Sequence, residues 1–417
     1  MYADVDDAAL ICAGSGAGRG DVSFVRRIAL CFSKQRAILQ TKGLSRGQKE
    51  RPHDKEVIMA RYEHGGNIYK NSIDLDFSAN INCFGMPEKV CQAAILGVRG
   101  SVHYPDPDCT ELKRAICHLE ENRGNRVTEQ QIICGNGASD LIYRLVQALH
   151  PRRAAVFAPG FQEYEQALGS LPDLDIYKIC LSRENDFLPT KQDISEIPED
   201  VELVFLCNPG NPTGLLLPEE ILESMLEKAE KENLFLVLDE SFMDFVSDEK
   251  RKSVTDRIEA VTNLFVVKAF TKMYGMPGLR LGYGLSGNRE LIRRMEENAQ
   301  PWSVSLPAQK AGVAACFEEK FVKQTRRWLV KERQYVKERL EKMGIRVLPG
   351  EADFLMFSTK PGLEKALLKK GILIRSCSNF TGLAEGDYRI AIRKREENDV
   401  LLEQIQRWLF GEHTGVD

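Results

Sequence analysis

The sequence predicts an α/β protein in which a mostly parallel central sheet is covered by helices on both faces, together with a smaller α+β domain. Two observations support this prediction. From about residue 105, short apolar or β-branched runs alternate with longer helical stretches, which is typical of parallel strands joined by helical crossovers. From about residue 320, charged amphipathic helices and a few short strands replace that alternation. The length of 417 residues accommodates both parts.

The predicted strands of the sheet are four apolar runs, AAVFAP, ELVFLCNP, LFLVLDE and NLFVVKAF. The clearest helix between them is PEEILESMLEKAEKEN, which begins at Pro218. A proline at the start, glutamates in the first turn and apolar residues at every third or fourth position are features of an amphipathic helix. The central sheet is therefore expected to consist of repeated strand–helix–strand units.

Composition divides the chain into four expected parts. Residues 1–60 combine a glycine-rich piece, AGSGAGRGD, with basic and polar stretches, and we expect a poorly ordered extension that a translation start at Met59 would omit. Residues 61–104 are expected to form an N-terminal arm and part of the small domain. The large domain is expected over residues 105–305 and the C-terminal small domain over residues 306–417.

Composition also argues against several classes of function. A net charge of −4 gives no reason to expect a nucleic-acid or membrane partner, and no long uncharged apolar stretch predicts a spanning helix. The 11 cysteines are odd in number and include no C-x-x-C pair, so we expect free buried thiols in a cytoplasmic protein. The 6 histidines lack the spacing of metal ligands, and we predict no metal site.

Two segments that follow predicted strands have the features of ligand-binding loops. GNGASD, residues 135–140, places glycines at the start of a helix, where backbone N–H groups and the helix dipole favour a phosphate. NPGNPTG, residues 208–214, holds Asn211 between two prolines, so that its amide can be directed at a ligand oxygen. Each segment alone is also compatible with an ordinary turn or loop.

Three charged residues occupy comparable positions. Asp239 ends the apolar run FLVLD, where a carboxylate can pair with a cationic ligand nitrogen, although a helix cap would use the same residue. Lys272 follows another apolar run, and Arg280 lies eight residues further on. A desolvated lysine near other cations has a lowered pKa and can act as nucleophile and base, and an arginine presents a fork that suits phosphate oxygens.

The combination of these features resembles the fold-type-I aminotransferase superfamily over roughly residues 62–412. Asn-Pro-Thr-Gly is followed by Asp239 about 28 residues after its asparagine, and by Lys272 about 33 residues beyond that. The resemblance implies pyridoxal 5′-phosphate as the cofactor, bound in the large domain as a Schiff base with Lys272, the catalytic residue. The other cofactor contacts that it implies are Gly137, Ala138, Ser139, Thr271 and Arg280 at the phosphate, Phe161 stacked on the ring, Asn211 at the ring hydroxyl and Asp239 at the pyridine nitrogen.

Two positions depart from the pattern of that superfamily. Ala269 stands where members usually offer a hydroxyl to the cofactor phosphate, and Phe242 replaces a tyrosine that commonly contacts the ring hydroxyl. Both departures alter the expected hydrogen bonding of the cofactor. Neither removes an essential group.

Four segments resemble one branch of the superfamily, the threonine-phosphate decarboxylases of cobalamin biosynthesis, which are related to the histidinol-phosphate aminotransferases. The segments are EHGGN (63–67), DFSANIN (76–82), PWSVS (301–305) and IRSCSNFTGL (374–383). The resemblance implies a homodimer in which Tyr104 reaches the site of the partner subunit. It also implies a phosphorylated amino acid as substrate, held by His64, Asn80, Tyr104, Asn211, Arg375 and Arg389.

Motif spacing does not determine which bond at the substrate Cα is broken. A decarboxylase holds the Cα–carboxylate bond perpendicular to the cofactor ring and an aminotransferase holds Cα–H there, and only the resemblance favours the former. The alternatives are a histidinol-phosphate or related aminotransferase and, from a different class, a regulatory protein that binds pyridoxal phosphate without turnover. The intact Lys272 and the lack of a helix-turn-helix pattern in the sequence argue against the regulatory protein.

Overall fold

The computed structural model describes residues 65–69 and 72–411 of the chain. The expected extension over residues 1–60 and the substrate contact His64 lie outside these ranges and stay predictions. The strands, in chain order, are β1 Leu75–Asp76, β2 Ile132–Gly135, β3 Arg153–Ala158, β4 Asp175–Cys180, β5 Leu203–Cys207, β6 Phe235–Asp239, β7 Leu264–Ala269, β8 Gly282–Leu285, β9 Arg346–Val347, β10 Phe354–Ser358, β11 Ile372–Leu373, β12 Arg375–Ser376 and β13 Asp387–Ala391. The α-helices are α1 Glu88–Arg99, α2 Thr110–Asn122, α3 Ala138–Leu149, α4 Glu163–Leu168, α5 Lys191–Ser195, α6 Glu219–Glu232, α7 Phe270–Met273, α8 Arg289–Glu297, α9 Leu306–Ala315, α10 Glu319–Lys342, α11 Leu363–Leu368 and α12 Arg395–Phe410.

The large sheet has seven strands in the order β2-β8-β7-β6-β5-β3-β4. From β7 to β4 the strands are parallel, and β8 runs antiparallel to both of its neighbours, β7 and β2. β2 consequently points in the same direction as the parallel strands. The carboxyl ends of all strands except β8 therefore meet at one edge of the sheet, where ligand sites of such sheets usually form.

Helices cover both faces of this sheet, as the sequence predicts. Along β6, Val237 belongs to an apolar cluster that includes residues of α3 and α8, whereas Leu236 and Leu238 belong to a cluster that includes residues of α2, α6 and α9. Successive side chains of a strand point to opposite faces, so Leu236, Val237 and Leu238 are buried alternately on one face and the other. This burial explains why the predicted strands are continuous apolar runs without polar alternation.

The individual elements predicted from the sequence are confirmed. The four apolar runs form β3, β5, β6 and β7, and the helix predicted from Pro218 is α6, with Pro218 as its N-cap and two glutamates in its first turn. None of the helices in the described part of the chain has both the length and the apolar character of a membrane span. The boundaries of the four expected parts stay predictions.

A second, antiparallel sheet has four strands in the order β12-β13-β10-β9. Its register places Arg375 of β12 directly opposite Arg389 of β13. The short strand β1 pairs with β11 nearby, and the following Phe77 donates its N–H to the carbonyl of Leu373 at 2.8 Å. The segment after β1 is thereby held beside the strands that carry the two arginines.

Candidate active site

A cavity of about 380 Å³ opens at the carboxyl edge of the large sheet. Its walls come from the loops after β2, β3, β5, β6 and β7, from the segment after β1 and from the second sheet. The predicted site residues on these walls are Asn80, Ala138, Ser139, Phe161, Asn211, Asp239, Thr271, Lys272, Arg280, Arg375 and Arg389. The cavity thus unites almost all of the residues that the sequence analysis selected.

Lys272 lies in the short helix α7, directly after β7, and faces the cavity. Asn82 donates its backbone N–H to the carbonyl of Lys272 at 3.1 Å, which anchors this turn. Removal from water lowers the pKa of Lys272 to about 8; Asp353 opposes this shift, and the cations Arg389 and Arg280 add to it. An amine with such a pKa is partly neutral near pH 7, which is the form that a nucleophile or base requires; its role stays a prediction.

Asp239 ends β6 as a buried carboxylate. Tyr164 donates its hydroxyl proton to one carboxylate oxygen at 2.7 Å, and the N–H of Ser241 donates to the other at 2.9 Å. Burial raises the pKa of Asp239 above its ordinary value. Among the described residues no cation forms an ion pair with it. A cationic group of a ligand would therefore stabilise this buried carboxylate.

A second group of residues surrounds the N-terminus of α3. Gly137 precedes the helix with a φ of 88°, a conformation that favours glycine, and the Arg280 guanidinium occupies the space where a Cβ of Gly137 would lie. Ala138, Ser139, Thr271 and Arg280 line the cavity here. Free N–H groups of a helix N-terminus beside a guanidinium form a suitable site for a phosphate.

Between these two groups lie the residues expected at the cofactor ring. Phe161 lines the cavity and meets Tyr164 edge-on, with ring centroids 5.5 Å apart. Asn211 is buried, and its side-chain oxygen accepts a hydrogen bond from Arg389 at 2.5 Å. Phe242 also lines the cavity and packs edge-on against Phe354 at 5.0 Å, so this departure from the usual tyrosine fills the space with an apolar contact.

The donor set fits pyridoxal 5′-phosphate, the cofactor that the sequence resemblance implies. The cavity contains an amine of lowered pKa, a buried carboxylate without a cationic partner among the described residues, and a helix N-terminus where Gly137 makes room for the guanidinium of Arg280. These groups match the aldehyde, the ring nitrogen and the phosphate of that cofactor in chemical type.

The two arginines of the second sheet form the opposite wall. Arg375 and Arg389 are both buried, and Arg389 also donates to the carbonyl of Ser78 at 3.2 Å. Burial lowers the pKa of Arg389 to about 10, with Arg375 contributing to the decrease, and it remains cationic at neutral pH. Asn80 is buried beside them, and its side-chain oxygen has no hydrogen-bond partner among the described residues. This wall therefore offers two cations and one amide to a ligand.

Of the predicted substrate contacts, Tyr104 lies away from this cavity and His64 is not among the described residues. Tyr104 does not line the cavity; it is 77% exposed and stacks on Trp302 with centroids 4.4 Å apart. His64 lies outside the described residues, but Gly65, which follows it, lines the cavity. The prediction that Tyr104 acts in the site of a partner subunit stays untested by a single chain.

The structure also shows participants that the sequence analysis did not select. Tyr164 bonds Asp239, and it lies only three residues after Phe161, so the same segment could have indicated it. Gln162 lines the cavity and bonds Asn379. Asp353 precedes β10, and its carboxylate is buried without a hydrogen-bond partner in the described part of the chain. Burial raises the pKa of Asp353 to about 7, and no motif marks this residue.

Comparisons with known proteins agree with this geometry. Residues 72–405 match the family described as aminotransferase class I and II. The threonine-phosphate decarboxylase of Salmonella typhimurium is 34% identical over 360 residues, which cover 84% of this chain and 97% of that protein. The solved structure of the histidinol-phosphate aminotransferase from Clostridium acetobutylicum has a TM-score of 0.74 at 28% identity, covering 80% of this chain and 99% of that one. For the L-threonine-O-3-phosphate decarboxylase from Porphyromonas gingivalis the TM-score is 0.69 at 26% identity, with coverages of 80% and 99%.

Proposed function

Because this chain belongs to the class I and II aminotransferase family, we propose that it decarboxylates L-threonine O-3-phosphate to (R)-1-aminopropan-2-ol O-phosphate, a building block of the cobalamin nucleotide loop. The observation that carries the proposal is the placement of Arg375 opposite Arg389 on the wall that faces Lys272. Two buried guanidinium groups suit a substrate that bears two anionic groups, a carboxylate and a phosphate. The 34% identity to a threonine-phosphate decarboxylase supports the same reaction.

Pyridoxal 5′-phosphate is the cofactor of this family, and when bound it supplies an electron sink for the pair of electrons left by the departing carboxylate. Within the proposed assignment, Asp239 would hold the ring nitrogen in its protonated form, Asn211 would bond the ring hydroxyl and Phe161 would contact the ring. The N–H groups of Ala138 and Ser139, with Thr271 and Arg280, would bind the phosphate.

The remaining steps belong to residues of the chain. Arg375 and Arg389 hold the two anionic groups of the substrate, with Asn80 and His64 closing over the phosphate. This two-point attachment would fix the orientation of the substrate in the cavity, so that binding energy is used for orientation. Lys272 Nζ, with a pKa of about 8, then donates a proton to Cα in place of the lost carbon dioxide.

An aminotransferase acting on histidinol phosphate is the alternative, because the Clostridium acetobutylicum enzyme has the same fold with a TM-score of 0.74. Two assays on the purified protein loaded with cofactor separate the alternatives. Release of carbon dioxide from L-threonine O-3-phosphate is the expected result. Transamination of histidinol phosphate with 2-oxoglutarate, without carbon dioxide release, would establish the aminotransferase. Cofactor binding with neither activity would favour a regulatory protein.

The role of the arginines gives a second test of the proposal. Arg375→Ala should lower kcat/KM for L-threonine O-3-phosphate by a factor of roughly ten to a few hundred, the range expected when one charge-assisted hydrogen bond is lost. Arg375→Lys should recover only part of the loss, because lysine lacks the fork that grips an anion at two points. Arg407→Ala, at an exposed ion pair with Glu403, is the matched control and should leave kcat/KM unchanged. Wild-type efficiency in Arg375→Ala and Arg389→Ala alike would refute the substrate assignment.

We also propose a homodimer in which Tyr104 completes the site of the partner subunit. Exposed apolar side chains support this, since Leu96, Val98, Val102 and Tyr104 are exposed close together in the sequence, and Trp302 stacks on Tyr104. Mixing and refolding the inactive Lys272→Ala chain with a Tyr104→Ala chain tests the arrangement. In mixed dimers one site regains both residues, so activity should exceed that of either variant alone. Simple averaging of the two activities would contradict it.

A further inference from the structure

Gln162 connects two parts of the cavity wall that are far apart in the sequence. It follows Phe161 in the loop after β3 and lines the cavity. Its Nε2 donates to the backbone carbonyl of Asn379 at 2.6 Å, and the Nδ2 of Asn379 donates back to Oε1 of Gln162 at 3.2 Å. This reciprocal amide pair joins the loop of the large sheet to the loop that follows β12.

The same asparagine also holds an arginine. The Oδ1 of Asn379 accepts a hydrogen bond from Nη2 of Arg375 at 2.9 Å. Arg375 additionally lies over the ring of Phe380, with its guanidinium carbon 5.4 Å from the ring centroid. A continuous chain of hydrogen bonds therefore runs from Gln162 through Asn379 to the guanidinium of Arg375.

An arginine side chain loses considerable rotamer freedom when it is fixed in one orientation, and this loss weakens binding unless the free protein already holds the side chain. Asn379 supplies such a restraint, and Gln162 restrains Asn379 in turn. The side chains of Gln162 and Asn379 are only partly buried, so their pairing adds little apolar burial to the fold. The main effect of these hydrogen bonds is therefore to fix the orientation of Arg375, and their contribution to apolar burial is small.

We propose that Gln162 and Asn379 form a clamp that orients Arg375 for an anionic group of the substrate. They are positioning residues that raise substrate affinity. The inference rests on the proposed function only in that Arg375 binds the substrate. Because the clamp also links the loop of Phe161 to the second sheet, it keeps the two walls of the cavity at a fixed distance from each other while the substrate is bound.

The test uses the cofactor-loaded enzyme and the variants Gln162→Leu, Asn379→Ala and both together. Gln162→Leu should raise KM for L-threonine O-3-phosphate about three- to tenfold, the size expected for lost hydrogen bonds between uncharged groups, with kcat within about twofold. The double variant should behave like Asn379→Ala alone, because Gln162 acts only through Asn379. The melting temperature and the visible absorbance of the cofactor should match the wild type. Gln147→Leu, which removes an exposed amide bonded to Ser170, is the matched control and should change neither KM nor kcat.

The decisive comparison places Gln162→Leu in an Arg375→Ala background. If Gln162 works through Arg375, it should cause no further increase in KM there. An equal increase in both backgrounds, or a lowered melting temperature without a change in KM, would show a merely structural role and overturn the proposal. A failure of the proposed function is distinguishable, since the wild-type enzyme would then release no carbon dioxide from L-threonine O-3-phosphate. The same KM comparison would in that case be made for transamination of histidinol phosphate.

Discussion

Lys268 and Lys272 lie four residues apart, and their surroundings differ in kind. Lys268 is buried at the end of β7, where its Nζ lies 3.1 Å from a carboxylate oxygen of Glu240 and 3.7 Å from one of Glu120. The hydroxyl of Ser253 provides a further contact at 3.2 Å. Lys272 faces the cavity and forms no ion pair with any described residue.

These different surroundings favour different roles for two lysines that are only four residues apart. Burial alone would raise the pKa of Glu120, but Lys268 and Arg123 hold it at about 2, so this carboxylate is ionised at neutral pH. For Lys272, desolvation dominates and lowers the pKa to about 8. Lys268 has carboxylates within ion-pair distance, and Lys272 has none among the described residues. The first arrangement is typical of a structural lysine, and the second is the one that a reactive lysine requires.

The largest effect is expected when the reactive lysine is removed. Lys272→Ala should abolish turnover and the visible absorbance of the bound cofactor, because the covalent attachment point is lost. Borohydride reduction of the wild-type holoenzyme followed by peptide mass spectrometry should place the cofactor on Lys272. Lys268→Met is the matched control and should keep the absorbance. Cofactor found on Lys268 would reverse the assignment of the two roles.

The structural lysine should instead control stability. Lys268→Met leaves Glu120 and Glu240 buried without their shared cation, and breaking a buried ion pair in this way costs about 3–5 kcal/mol. Urea denaturation should show this loss in the free energy of unfolding. Lys323→Met, which breaks an exposed pair with Glu319, should cost less than about 1 kcal/mol. Equal losses in the two variants would mean that the buried network does not stabilise the fold.

A smaller effect should follow from Asp353, whose carboxylate raises the pKa of Lys272 against the effect of burial. Asp353→Asn should move the pKa of Lys272 below about 8. The reaction of the apoprotein with pyridoxal phosphate requires the neutral amine of Lys272. The pH profile of its rate should therefore shift to lower pH in this variant. Asp173→Asn, an exposed position, should leave the profile unchanged. A shift to higher pH would contradict the placement of Asp353.

Asp353 should also affect stability in a pH-dependent way. Burial raises its pKa from 3.8 to about 7, so the folded state holds this proton more tightly than the unfolded state. The resulting stabilisation is complete below pH 3.8 and is lost as the pH rises through 7. Asp353→Asn is therefore expected to raise the melting temperature of the apoprotein at pH 8 and to change it little near pH 4. A constant difference at both pH values would contradict this explanation.

The smallest effect is expected from the N-terminal extension. The described partners of Lys268 and the groups that shift the pKa of Lys272 lie between Glu120 and Arg389. We therefore expect a chain that begins at Met59 to retain both the visible absorbance of the cofactor and the unfolding free energy of the full chain. A large loss of soluble protein or of cofactor binding would assign residues 1–58 a structural role.

The central sheet and the polar residues at its edge could be predicted because both depend on local sequence. Continuous apolar runs identify strands that are buried on both faces, and the parallel order brings their carboxyl ends together. Asn211 and Lys272 follow such a run and Asp239 ends one, so their meeting in one cavity required no knowledge of distant contacts. Loop chemistry likewise indicated the start of α3 as a candidate site for a phosphate, and these residues line the same cavity.

Only the tertiary structure decided which side chains support these residues. Tyr164 bonds Asp239 across 75 positions of the chain, and Gln162 meets Asn379 across 217. The spacing of the superfamily pattern selected Lys272, but it gave no indication that Lys268, at the end of the same apolar run, is paired with buried carboxylates. Such pairings arise from the packing of whole elements against one another, and they depend on distances that no spacing along the chain encodes.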